Sequence, residues 1–173
     1  MTRRQKSRGS TMVEMTMVGI PIIFALISIF EISRGMWVYE TMAYSVKQGI
    51  RYTSVHGENC RSLDNVVNSC NQTANQIILN AIQPAAVGVD PASTNVTFYS
   101  ADGGILNCPL TGTGSGGCGL LWPPAAVNVT GMWIQITMQS PFRSAIAMLW
   151  PGSAPTSAGA TQFVASSKDI IQF

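Results

Sequence analysis

The sequence predicts an α+β protein with a long N-terminal helix, a second amphipathic helix and a small antiparallel β-sheet of three to four strands. Three observations carry this expectation. Met15 to Phe30 is a run of sixteen residues without a charge. Apolar residues then recur at helical spacing as far as Ile82. Beyond Pro84 the period changes to alternation. Met132, Ile134, Ile136 and Met138 share one face, while Trp133, Gln135, Thr137 and Gln139 share the other.

The first element is set by its flanks. Arg3, Arg4, Lys6 and Arg8 precede the apolar run, followed by Gly9 and one carboxylate, Glu14. Sixteen helical residues span about 24 Å, short of the roughly 30 Å hydrocarbon core of a bilayer. The helix therefore recruits Ser10 to Glu14, residues after Phe30, or both, which puts Glu14 near the cytoplasmic boundary. A carboxylate costs about 2.5–3.5 kcal/mol near the centre of such a helix and less toward its ends. Positive charge before the run and little after it places the N-terminus in the cytoplasm. Glu31 to Trp37 offers no small-residue signal cleavage site, and Arg3-Arg4 lacks the rest of a twin-arginine pattern. The expected division is a basic leader over 1–9, a transmembrane helix over 10–34 and an extracytoplasmic domain over 35–173. Pro21, inside the span, removes one backbone donor and predicts either a kink or ordinary tolerance.

Val38, Met42, Val46 and Ile50 carry the helical stripe past the membrane, so one helix is expected from about Ser10 to about Thr53. Trp37, Tyr39 and Tyr44 fit either an interfacial belt or packing against the outer domain. Glu31 and Arg34, three apart, meet on one helix face as a surface pair. After a break at His56 to Asn59, a second stripe runs from Leu63 through Val66, Ile77 and Ile78 to Ile82, and Pro84 ends it. Strands are expected at Asn95–Tyr99, within Val127–Gln139 and at Thr161–Phe173. Asp102-Gly103-Gly104 is a turn, and 112–117 and 151–159 are loops.

Composition excludes several functions. Only 10% of residues are charged, and the net charge of +2 belongs to the leader. Without residues 1–9 six basic residues face eight acidic ones, so no nucleic-acid-binding surface is expected. The four cysteines, Cys60, Cys70, Cys108 and Cys118, all follow the apolar run. With no CxxC and His56 as the sole histidine, a zinc site is not expected; disulfides are. Three pairings are possible, and the local ones, Cys60–Cys70 and Cys108–Cys118, are favoured. No catalytic residue and no cofactor are predicted. The glycine run 112–117 lacks a following Lys-Ser/Thr, and Asn71, Asn95 and Asn128 head glycosylation sequons that are common by chance.

The order Gly9-Ser10-Thr11-Met12-Val13-Glu14 followed by an apolar run resembles the processing site of type IV prepilins. The further residues Phe30-Glu31-Ile32-Ser33-Arg34, Trp37-Val38-Tyr39 and Gln48-Gly49-Ile50-Arg51-Tyr52 are similar to the TadE-like family, pseudopilins of the tight-adherence (Tad, Flp-type) pilus. The resemblance covers about residues 8–53, and Met15 stands where relatives often have Phe or Tyr. It implies cleavage between Gly9 and Ser10 by a prepilin peptidase, with Glu14 as the fifth residue of the mature chain and Glu31 and Arg34 marking the helix exit. The implied partners are that peptidase, other pilin or pseudopilin subunits, the inner-membrane assembly platform and the lipid bilayer. The implied location is the bacterial inner membrane, with the C-terminal domain outside, or the pilus itself. The competing expectations are a plain single-pass anchor holding an extracytoplasmic binding domain, and a membrane-tethered hydrolase that would have to rely on His56.

Overall fold

The computed structural model describes residues 8–56, 72–114, 117–144 and 161–172. Helix α1, Arg8–Val55, is one unbroken rod that continues through Pro21. Its outer half buries two adjacent ridges. The large one is Met42, Val46 and Ile50, the expected stripe. The small one is Ser45, Gly49 and Thr53, each four residues from the next. The buried hydroxyls are satisfied within the helix: Ser45 Oγ donates to the Met42 carbonyl at 2.9 Å, and Thr53 Oγ1 to that of Gly49 at 2.9 Å.

Helix α2, Ala74–Ile77, starts later than the apolar stripe from Leu63 suggests. Thr73 is extended, and its hydroxyl accepts from the Gln76 N–H at 3.2 Å while Gln76 Oε1 accepts from the Thr73 N–H at 2.9 Å. This reciprocal cap fixes a helix start at that point. The Trp122 N–H also donates to the Gln72 carbonyl at 2.9 Å, and Thr73 bridges to Leu121. A single helix over 63–82 therefore does not run through Gln72 and Thr73. The first half of that stripe, with Cys60 and Cys70, lies outside the described residues.

A π-helical turn, Ile78–Ile82, continues α2. The wider turn rotates Ile82 rather than Ala81 fully into the core, beside Ile77 and Ile78. The chain then tightens into a 3₁₀ turn, Gln83–Ala85, containing Pro84, which ends the helical run as expected.

Four antiparallel strands follow: β1 Asn95–Ser100, β2 Ile105–Pro109, β3 Trp133–Phe142 and β4 Thr161–Ile170, in the spatial order β2-β1-β3-β4. The β1–β2 hairpin turns at Asp102 and Gly103, the latter with φ of 82°. The Ser100 hydroxyl and the Gly104 N–H both donate to the Asp102 carboxylate, which holds its pKa below the ordinary value. The sequence reading sets no strand at β2, because Ile105-Leu-Asn-Cys-Pro shows little alternation and only Cys108 in it is fully buried. β3 begins later than expected, at Trp133, because the chain turns at Gly131 with φ of 93°. Ile134, Ile136 and Met138 face the core as predicted, whereas Met132 precedes the strand and is exposed. β3 runs on past Gln139, where β1 ends and only β4 remains as partner, so Pro141 is tolerated there. β4 stops at Ile170, and Ile171 is buried beyond it.

One face of the sheet packs on the outer half of α1 and on α2. Phe98, Ile134, Ile136, Met138 and Ala165 supply the sheet side of the core, with Leu110 and Trp122 closing it. Trp122 stacks at a tilt on Phe98, centroids 4.8 Å apart. Cys108 and Cys118 form the expected local disulfide, Cα atoms 5.8 Å apart, pinning a short 3₁₀ turn (Gly117–Gly119) to edge strand β2.

Two stability outcomes follow. A Cβ on Gly49 would lie 2.6 Å from Cγ1 of the buried Ile82. Gly49→Val should therefore destabilise the detergent-solubilised chain by about 1–3 kcal/mol in urea unfolding, the usual cost of overpacking. Replacing Cys108 and Cys118 together by Ala releases a ten-residue closure. It should cost about 2–3 kcal/mol in the same assay.

Candidate functional site where the long helix meets the domain

The candidate site is α1 itself and the place where it meets the outer domain. From Met12 onward α1 is long and apolar enough to cross a membrane, and nothing else among the described residues covers its most apolar stretch. The polar side chains within this stretch are satisfied by the helix that carries them. Thr16 Oγ1 donates to the Met12 and Val13 carbonyls, Ser28 Oγ to Phe24 at 2.8 Å and Ser33 Oγ to Ile29 at 2.8 Å. Such internal bonding is what an apolar solvent demands.

Gly9 and Ser10 fall in the first turn of α1, two residues earlier than the sequence placed its start. The first turn of any helix lacks partners for its N–H groups, so unwinding it costs little. Glu14 lies one turn further on and is exposed. From Glu14 to Arg34 the helix takes twenty steps, about 30 Å, which equals the hydrocarbon thickness of a bilayer. The two charged residues therefore bracket a stretch of that length, with Glu31 just inside its far end.

Glu31 and Arg34 pair at 3.6 Å, with Glu31 only 14% exposed and Arg34 50% exposed. The pair is more than the surface contact expected of it. Arg34 Nη2 donates to the Arg143 carbonyl at 3.2 Å, and its guanidinium sits over the Phe142 ring, 5.1 Å from the centroid. Phe142 stacks on Phe163 at 4.9 Å, and Tyr39 meets Phe163 edge-on at 6.3 Å. Beneath both phenylalanines lies Gly35, buried; a Cβ there would touch them at 3.5–3.6 Å. Trp37 covers Gly88, whose φ of 82° and lack of a side chain allow the ring to lie on the backbone. Trp37 and Tyr39 thus pack against the outer domain while remaining half exposed, and Tyr44 is exposed beside an open groove lined also by Arg51 and Tyr52. The sequence reading named Glu31 and Arg34 but missed Phe142, Arg143 and Phe163, which meet them across more than a hundred residues. The only local signal was an aromatic and a cation directly after Pro141, where the strand alternation ends.

His56 stacks on Tyr52 with centroids 4.1 Å apart, and its Nδ1 lies 2.6 Å from the Tyr52 carbonyl at the end of α1. It is occupied as a helix-end residue, and no nucleophile is arrayed on it among the described residues. Nor do any three His, Cys, Asp or Glu side chains among those residues come together in a way that would hold a metal ion.

The fold and this junction define a class: an α+β domain carried on the second half of a helix whose first half is long and apolar enough to cross a membrane. Residues 9–51 match the family model described as TadE-like protein. The match covers less than half of the 173 residues and falls on the segment that carries the resemblance noted above, from Gly9 through the span to Gly49-Ile50-Arg51. No curated protein and no solved structure matches the chain.

Arg34→Ala should lower the unfolding free energy by about 1 kcal/mol, the sum expected for one exposed charge-assisted bond and one cation–π contact. Arg34→Lys should recover less than half of that, because an ammonium cannot lie flat on Phe142 while donating to the Arg143 carbonyl. Urea titrations of the two variants in detergent check both.

Proposed function

We propose that this chain is a minor pilin or pseudopilin needed to assemble a Tad-type adhesive pilus, and that a prepilin peptidase cuts it between Gly9 and Ser10. The observation that carries the reading is the match of residues 9–51 to the TadE-like family, in a segment that holds the glycine, the glutamate and the span in the required order. In this reading residues 1–9 are a leader, 10–34 span the inner membrane with the N-terminus in the cytoplasm, and 35–173 lie outside. The chain serves as a structural subunit rather than an enzyme. Its partners are the peptidase, neighbouring pilin-like subunits and the assembly platform.

The chemistry of the span supports this. Cleavage gives Ser10 an α-amino group, and Glu14 of one subunit then pairs with the terminal amine of a neighbour. A charge out of water is stabilised by an opposite one, and the correct axial register brings amine and carboxylate together. Glu14 thereby works as a register device for packing spans side by side.

Mass spectrometry of membrane-extracted protein should find Ser10 at the N-terminus. An intact 1–9 segment would instead leave a plain single-pass anchor for an extracytoplasmic domain. Glu14→Gln should still be cleaved but should abolish surface pili, scored by electron microscopy of complemented cells. Normal piliation in that strain would remove Glu14 from the assembly mechanism.

A further inference from the structure

Arg34 lies at the outer end of the span, and the protein builds a cleft of about 220 Å³ around it. Its walls include Arg34 and Val38 from α1, Phe142 and Arg143 from the end of β3, and Asp90 and Ser93 from the loop before β1. The charges in it differ in how they are engaged. Arg34 already pairs with Glu31 and donates to the Arg143 carbonyl. The Asp90 carboxylate accepts from the Ala92 N–H at 3.1 Å and from Ser93 Oγ at 2.8 Å, which leaves lone pairs open on both oxygens. The Arg143 side chain is exposed and makes no hydrogen bond or ion pair among the described residues.

The depth of the cleft is set by the helix. Arg34 and Val38 are four residues apart, about 6 Å along the axis. A bilayer's headgroup layer is about 5–7 Å thick on each side. With Glu14 at the inner boundary, Arg34 stands at the outer one, and the cleft fills the headgroup layer above it. Cationic and anionic groups therefore line one cleft at the level where lipid phosphates and amines lie.

We propose that this cleft binds the headgroup of a zwitterionic phospholipid bearing a primary amine, a phosphoethanolamine-type lipid of the outer leaflet. Arg143, with Arg34 beside it, holds the phosphate through guanidinium N–H donors. Asp90 takes the ammonium. A purely anionic headgroup would leave Asp90 facing a like charge, and a quaternary ammonium has no N–H to donate to it. The bound lipid ties the loop before β1 to the end of β3 and fixes how the outer domain sits on the membrane. The proposal rests on the membrane reading of α1.

The test uses the full chain in nanodiscs with equal parts of phosphatidylethanolamine, phosphatidylglycerol and phosphatidylcholine. Native mass spectrometry after gentle release reads the retained lipid, and liposome flotation separately reads insertion. The wild-type chain should retain phosphatidylethanolamine at several times its bulk share. Arg143→Gln and Asp90→Asn should each bring that share back to the bulk ratio while the chain still floats. Retention at the bulk ratio by a floating wild-type chain, enrichment of phosphatidylglycerol, or variants indistinguishable from wild type each overturns the site and leaves the membrane reading standing. A wild-type chain that does not float overturns both.

Discussion

The rest of the structure depends on one helix that meets two surroundings, a bare apolar stretch and the core of a domain. α1 is one continuous helix, so its bare half and its domain half cannot be adjusted independently. Any rotation that suits the apolar span also turns Met42, Val46 and Ile50, which must enter the core of the domain. The constraint is resolved by the character of the two halves. Between Met15 and Phe30 the helix is uncharged on every side and an apolar solvent would constrain its rotation little, whereas the second half is apolar on one stripe only. The domain therefore sets the rotation and the span follows.

The grip of the domain on this rod comes from size contrast. The small ridge Ser45, Gly49 and Thr53 lets Ile82 approach where a larger side chain would hold it off. The π-helical turn that delivers Ile82 is the matching irregularity on the other side. Gly35 does the same one level lower, beneath Phe142 and Phe163. Small residues on α1 thus mark where the sheet and α2 come nearest, and the Glu31–Arg34 pair closes the lower edge of that contact.

Much of this was legible because it is local and periodic. The length of α1 followed from an uncharged run joined to a four-residue stripe, and the core face of β3 followed from strict alternation at Ile134, Ile136 and Met138. The hairpin turn was readable at Asp102-Gly103-Gly104, since a glycine supplies the positive φ there. What escaped was decided elsewhere in the chain. β2 is a strand because β1 offers it a partner edge, although its own sequence carries no alternation. The start of α2 is fixed by Thr73 and Gln76 and by backbone bonds to residues 120–122, which outweigh the apolar stripe before it. In the candidate site the helix residues could be named in advance because their spacing is sequential. The rings and the second arginine around them could not, because β3 brings them there through tertiary packing.

The junction of helix and domain also bears on how a load would travel through the chain. A pull on the outer domain reaches the span only through α1, since no other described segment is apolar and long enough to cross. At residue 34 the rod is braced on one side by Phe142, Phe163 and the Arg143 carbonyl, so bending there separates stacked rings as well as an ion pair. At Pro21 no such brace exists among the described residues and one backbone donor is missing. Bending should therefore concentrate in the bare half at Pro21 and leave the junction with the domain rigid. The proline within the span and the arginine at its end then act as complementary parts, one compliant and one stiff, of a single rod.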